Sequence, residues 1–478
     1  RIHMRKYLPH VLIISFVFLL APTVSFADAD RIYKENSKAV VMVIKYDEKG
    51  NEIGSGSGFI VRRDGAVVTN YHVIGMAKDI KVKAGDKVFD VEGLIYTDKE
   101  NDLAILKARA KDLPVVKLGV IGEANIGEHV YVIGNPSGLE NTISVGLLRG
   151  IRKIDEKREI LRTTTPVSPG SSGSPVFNRN GEVIGVATMS SISETRNSSV
   201  AISVKLIKDR ISSKNITAIK ESGLEDYINT AMYWNNLGCT YFKSGKYEEA
   251  IKSFKQAIEI DPDFAEVHYN LGLAYFESGK YEEAIDAYKH AIRIDPDYAD
   301  AHYNLGKVYD ELGKYEEAID AYKHAIRIDP DAADAHYNLG TDYGKSGMYK
   351  EAIESFKQAV RIDPDYASAH HNLGVAYRKT GRNEEEVESY KQAIRIDPDL
   401  AIAHYNLGVA YGNLGKYKKA KESFKQAIRI DPDYKSAHYN LGITYLQIND
   451  RGSAIEQYKI LKKLDTEMGN ELFNAIYE

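Results

Sequence analysis

The tripeptide Asn-Leu-Gly occurs seven times in the C-terminal half, with its glycine at 238, 272, 306, 340, 374, 408 and 442, a spacing of 34 residues each time. So strict a period requires each unit to be one supersecondary piece that buries its apolar face against its neighbours. An alanine follows the glycine by twelve residues, as at Ala250, Ala284, Ala318 and Ala352, and Asp-Pro closes the first six units, as at Asp261-Pro262. Gly272 and Ala284 are small where two helices cross closely, Gly279 suits a left-handed residue ending the first helix, and Pro296 stops the second. The units run 231–264, 265–298, 299–332, 333–366, 367–400, 401–434 and 435–468. Residues 469–478, with Leu472, Phe473, Ile476 and Tyr477 at helical spacing, form a capping helix. Unit five departs from the rest: Glu386 stands in place of alanine and the turn reads Gly381-Arg382-Asn383-Glu384, which predicts looser packing there.

This pattern resembles the tetratricopeptide repeat (TPR). The resemblance implies paired antiparallel helices stacked into an all-α superhelical solenoid whose concave face takes a protein or peptide ligand. That face would carry Asn236, Asn270, Asn304, Asn338, Asn372, Asn406 and Asn440 beside aligned tyrosines. An asparagine ladder can hydrogen-bond an extended peptide backbone, or it can satisfy polar groups within the helix pairs. His268, His302, His336, His370, His404 and His438 also align, but stacked units lie about 10 Å apart, too far for two of them to share an ion. They read as packing residues, and no metal or cofactor is called for.

The 478 residues carry a formal net charge of −5, which suggests neither nucleic acid nor an anionic membrane as partner. At the N-terminus Arg5 and Lys6 precede the apolar run Val11–Leu20, and Ser25-Phe26-Ala27 offers small residues for cleavage, so 1–27 reads as a signal peptide. The run is too short for an ordinary membrane span, although retention as an anchor is the alternative. Cys239 is the only cysteine, so stability rests on packing, and export without cysteine pairs fits a bacterial envelope or periplasm.

Between 28 and 211 the grammar changes to short β-branched runs divided by Gly, Asn and Asp turns: Val40–Tyr46, Gly58–Arg62, Val67–Asn70, Ile80–Lys83, Leu103–Lys107, Val130–Ile133, Val183–Thr188 and Val200–Val204. Such spacing predicts a sandwich or barrels, closed by a helical segment over 204–212. Residues 212–230 read as a polar linker.

Three segments in this half carry chemistry: Thr69-Asn70-Tyr71-His72-Val73-Ile74, Asn101-Asp102-Leu103, and Ser168-Pro169-Gly170-Ser171-Ser172-Gly173-Ser174-Pro175. Together they resemble the HtrA (Deg) family of chymotrypsin-like proteases, supported by Gly54-Ser55-Gly56-Ser57-Gly58 and Gly134-Asn135-Pro136-Ser137-Gly138-Leu139. The resemblance implies an all-β double barrel with the triad His72, Asp102 and Ser172, the order used by the trypsin-like fold. Ser172 needs a base to become a nucleophile; His72 would supply it and Asp102 would hold its tautomer. The N–H groups of Gly170 and Ser172 match the family's oxyanion hole. Ser171 and Ser174 replace the family's usual Asn and Gly, and Ser172 is preferred to them by its place in Gly-x-Ser-Gly.

Pro166 lies six residues before the nucleophile, where an acid would favour cleavage after Lys or Arg. The resemblance implies instead unfolded polypeptide substrates cut after small aliphatic residues, in envelope quality control. Relatives follow the protease with PDZ domains; here the repeats take that place and would recruit substrate or partner proteins. Relatives also trimerise, which raises a homo-oligomer for this chain. The rival reading is a TPR scaffold or holdase whose protease domain is silent or weak.

Overall fold

Alternating Val and Ile runs close two antiparallel barrels, seen in a computed structural model that describes residues 21–120, 125–135, 141–153, 159–166, 170–188 and 199–478. The apolar run 11–20, Ser168 and Pro169 of the nucleophile motif, and Pro136–Leu139 of the Gly-Asn-Pro motif lie outside the described residues. Helix α1 (Ala21–Asn36) spans the segment where cleavage is expected. No helix among the described residues is long and apolar enough to cross a membrane.

The first barrel uses β1 (Val40–Tyr46), β2 (Glu52–Arg62), β3 (Ala66–Thr69), β4 (Asp79–Ala84), β5 (Lys87–Asp98) and β6 (Leu103–Ala108). Its order is β1-β2-β3-β6-β5-β4, closed by β4 on β1. Of the two readings left open by strand spacing, barrels are therefore the outcome. The second comprises β7 (Lys117–Leu118), β8 (His129–Gly134), β9 (Thr142–Lys153), β10 (Glu159–Thr163), β11 (Pro175–Phe177), β12 (Glu182–Thr188) and β13 (Ser199–Ser203). β11 pairs with both β8 and β12, closing six strands, and β7 is added parallel to β12.

Strand alternation sends side chains to two different cores, which is why β1 is buried on both faces. Val41 and Val43 point with Ile60, Val67 and Val82 into the first barrel. Val40 turns to a second cluster with Phe59, Leu103, Tyr131, Phe177 and Ile202, drawn from both barrels. Val130, Leu148, Leu161 and Ile184 fill the second barrel. After α3 (Lys205–Lys208), the stretch 212–230 pairs Thr217 with Leu94 and forms two short 3-10 helices, Ile219–Glu221 and Leu224–Asn229. Ile219, Leu224 and Tyr227 are buried in the first barrel's core.

Two compact units divide the chain, Arg1–Ala274 and Tyr275–Glu478. The first also holds α4 (Ala231–Lys243), its antiparallel partner α5 (Tyr247–Ile260) and the start of α6 (Ala265–Glu277). The second continues through α7 (Tyr281–Ile294), α8 (Ala299–Glu311), α9 (Tyr315–Ile328), α10 (Ala333–Lys345), α11 (Tyr349–Ile362), α12 (Ala367–Lys379), α13 (Asn383–Ile396), α14 (Ala401–Asn413), α15 (Tyr417–Ile430), α16 (Lys435–Gln447), α17 (Arg451–Leu464) and α18 (Thr466–Tyr477). The repeats thus form a TPR-like solenoid. The repeat glycine is small for a reason the sequence reading assigned only in part. A Cβ on Gly306 would lie 2.7 Å from the ring of Tyr322, so the aromatic sixteen residues on occupies the space. In the last unit Leu472 of α18 takes that position over Gly442.

Candidate active site

His72 lies on the four-residue helix α2 (Tyr71–Ile74), which follows directly from β3. The Asn70 side chain does not cap this helix; its amide donates to the main-chain carbonyl of Asp102 at 2.9 Å, and Tyr71 N–H donates to the same oxygen at 3.1 Å. The Asp102 carboxylate turns back to His72: Oδ1 accepts His72 N–H at 2.8 Å and Oδ2 accepts Nδ1–H at 2.7 Å. Because a carboxylate only accepts, Nδ1 carries the proton and Nε2 is left as the basic nitrogen. Asp102 is 2% exposed and has φ of 50°, an uncommon left-handed conformation for a residue with a side chain.

Ser172 belongs to the loop before β11 and is tied to the first barrel by the bond from Ser57 N–H to its carbonyl, 2.8 Å. Gly56 lies between the two halves of the site. A Cβ there would come within 2.7 Å of Val73, next to His72, and 3.2 Å of the Ser172 carbonyl. His72 and Ser172 are thereby brought to one strand, although among the described residues no hydrogen bond joins the Ser172 hydroxyl to His72. Such bonds are commonly long without substrate and tighten when it arrives.

Gly170 has φ of 94°, and its carbonyl accepts the Ser57 hydroxyl at 2.7 Å. Ser57 Oγ in turn accepts Asn135 N–H at 2.9 Å. With that carbonyl held this way, the peptide between Gly170 and Ser171 is oriented by a buried side chain. Among the described residues the N–H of Ser172 donates to no protein acceptor, while the N–H of Gly170 belongs to the peptide it shares with Pro169, outside the described residues. Ser174 is fully buried with its hydroxyl unpartnered among the described residues, packed on Gly134, whereas Ser171 is 6% exposed.

Sequence reasoning missed three supporting groups. Thr188, at the end of β12, donates to Asp102 Oδ2 at 3.0 Å. Ser57 lay within a recognised motif without an assigned role. Lys45, its pKa lowered by burial, donates to the carbonyls of His72 and Gly75 at 3.3 and 3.1 Å, holding the end of α2.

In the repeats, the aligned asparagines bond from unit to unit. Asn270 Nδ2 donates to Asn235 Oδ1 at 2.9 Å, Asn338 to the Tyr303 hydroxyl at 3.0 Å, Asn372 to Tyr337 at 3.1 Å and Asn440 to Tyr405 at 3.0 Å. Asn406 reaches His371, and Asn236 reaches Tyr227. Asn304 is buried. The aligned histidines each donate Nε2–H to a proline carbonyl six residues back, as His268 to Pro262 at 2.9 Å.

Comparison with known proteins agrees with both halves. Residues 56–186 match the trypsin-like peptidase domain, 238–279 the TPR repeat, and 264–471 the C-terminal domain of cilia and flagella-associated protein 70. A probable periplasmic serine endoprotease DegP-like of Hahella chejuensis is 41% identical over 135 residues, 28% of this chain and 29% of that one. The putative serine protease HhoB of Synechocystis is 38% identical over 144 residues, 29% of this chain and 35% of that one. The chain thus spans about a third or less of the length of these relatives. Among solved structures, YrrB, described as a TPR protein with an unusual peptide-binding site, is 29% identical with a TM-score of 0.37, covering 39% of this chain and 96% of that one. The chain therefore joins an HtrA-like, trypsin-type peptidase domain to an array of tetratricopeptide repeats.

Proposed function

We propose that the protein is an exported serine endopeptidase of the cell envelope whose repeats recruit unfolded polypeptides or partner proteins for quality control. The observation that carries this reading is the doubly bonded His72–Asp102 pair, held through Gly56 and Ser57 beside the loop that bears Ser172. His72 Nε2 takes the Ser172 proton as Oγ attacks the scissile carbonyl, and the N–H groups of Gly170 and Ser172 receive the oxyanion. The imidazolium then protonates the leaving amine, and water, deprotonated by His72, releases the acyl group. Burial disfavours Ser174 as nucleophile, and Ser172, 7% exposed against 6% for Ser171, is preferred to Ser171 by its place in Gly-x-Ser-Gly. The DegP-like relatives, described as periplasmic, support export.

The test is degradation of casein by the purified chain beside Ser172→Ala, together with labelling by a fluorophosphonate. The wild type is expected to cleave and to label, and Ser172→Ala to do neither. A wild type inert in both assays defeats the proposal. Cleavage retained by Ser172→Ala but lost in Ser171→Ala would reassign the nucleophile.

A further inference from the structure

In the repeat ladder five asparagines bond to a side chain 35 residues back, in the preceding unit: Asn270 to Asn235, Asn338 to Tyr303, Asn372 to Tyr337, Asn406 to His371 and Asn440 to Tyr405. The first unit has no preceding repeat. Its Asn236 donates instead to the hydroxyl of Tyr227, at 2.8 Å and only nine residues away. The segment joining peptidase to repeats thus supplies the acceptor that a missing unit would have provided.

Tyr227 is also part of the peptidase. It is 5% exposed within the first barrel's core, and its ring lies against Gly75, the residue that ends the His72 helix. A Cβ on Gly75 would fall 2.4 Å from that ring. The backbone of Gly75, φ −54° and ψ 140°, is open to any residue, so it is the nearby Tyr227 ring that disfavours a side chain there. Tyr71, which immediately precedes His72, meets Tyr227 edge-on with centroids 5.7 Å apart, and Tyr233 of α4 also meets it edge-on at 5.7 Å. Burial, with the Asp102 carboxylate nearby, pushes the Tyr227 hydroxyl well above its ordinary pKa, so it stays protonated.

The connection has little slack. Leu224 accepts Met76 N–H at 3.0 Å; Thr230 donates its hydroxyl to the Tyr227 carbonyl at 2.7 Å and caps α4 by accepting Tyr233 N–H at 3.2 Å. One side chain therefore touches the His72 helix with its ring and the first repeat with its hydroxyl.

We infer that Tyr227 is a positioning residue that fixes the helix bearing His72, and that Asn236 holds it there, so that the seating of the first repeat governs the reactivity of Ser172. The inference rests on the serine-protease reading and adds to it a route by which a ligand on the repeats acts on catalysis. A shift of the His72 helix by a fraction of an ångström would be felt in rate long before it was felt in folding.

The test is the rate of fluorophosphonate labelling of the full chain across pH 5 to 9, with folding followed by circular dichroism. Tyr227→Ala and Gly75→Ala are each expected to slow labelling by about tenfold and to shift the midpoint of its pH profile. Combined, they are expected to cost no more than either alone, since the new methyl then occupies the space of the lost ring. Tyr227→Phe and Asn236→Ala, which remove the same hydrogen bond, are each expected to slow labelling about twofold, and the pair equally. If Tyr227→Ala fails to fold, Gly75→Ala and the Phe variant decide. Labelling by the variants at the wild-type rate with an unchanged pH profile overturns the inference and leaves the protease reading intact. A wild type that does not label overturns the protease reading itself.

Discussion

The hydroxyl of Thr188 donates to the same oxygen of Asp102 that receives His72 Nδ1–H, at 3.0 Å against 2.7 Å. The carboxylate is thus fixed from the second barrel as well as from the first. Thr188→Val keeps the shape and removes the donor, and a hydrogen bond to a charged group contributes about 1.5–3 kcal/mol. We expect fluorophosphonate labelling of Ser172 to slow by about tenfold in Thr188→Val, with Thr188→Ser near wild type. Equal rates in the two variants would remove Thr188 from the site.

Ser57 provides a second test, in the loop that carries the candidate oxyanion donors. Without its hydroxyl, the Gly170 carbonyl and Asn135 N–H both lose their partner. We expect Ser57→Ala to lower casein cleavage by roughly 10- to 100-fold with a much smaller effect on thermal stability. A loss of stability matching the loss of activity would make its role merely structural.

The repeats contain a titration that bears on stability. Asp342 is 1% exposed; burial first, then the hydrogen bond and charge of Asp310, raise its pKa from 3.8 to about 7, against the opposing pull of Lys345. A carboxyl raised in the folded state favours folding most below its unfolded pKa, and that contribution is lost as pH rises through the folded value. The array should therefore lose stability between about pH 4 and 7, and Asp342→Asn should abolish the loss, gaining on the order of 2 kcal/mol at pH 8. Urea melts followed at 222 nm would show it, and an unchanged pH dependence in the variant would refute it.

Glu386 is 1% exposed with Oε1 unpartnered among the described residues, and burial raises its pKa although Arg378 pulls the other way. Its α13 remains a regular helix, yet a carboxyl occupies the position alanine holds in the other units. Glu386→Ala should stabilise the array by about 1–3 kcal/mol near neutral pH, measured in the same melts. A destabilised variant would mean that Glu386 contributes packing not replaced by alanine.

The repeats were the most legible part, because a 34-residue period reports itself, and the left-handed glycines at 279, 313, 347, 381 and 415 fall where the turns require them. β1 could be read to the residue. β5 could not: its pairing with β6 breaks register between Val91 and Gly93 and again between Leu94 and Tyr96, so its buried residues do not alternate. β9 is interrupted by Gly146 and Gly150 and mostly half-buried. Thr188 was out of reach for another reason, since its partner is 86 residues away and a threonine ending a strand carries no mark of that. Residues 212–230 looked polar overall, but Ile219, Leu224 and Tyr227, the residues that matter, are few and irregularly spaced.

Those three residues also bear on how such a protein can be divided. A peptidase excised at Ile211 would retain every residue of its candidate site and yet lack Leu224, which is fully buried, and Tyr227 from the first barrel. The cut would leave a hollow behind the His72 helix, and truncating buried side chains of this size costs about 2–5 kcal/mol each. A peptidase domain transplanted without this segment would carry its fault inside, next to its own candidate site, and the smallest portable domain should run at least to Asn229.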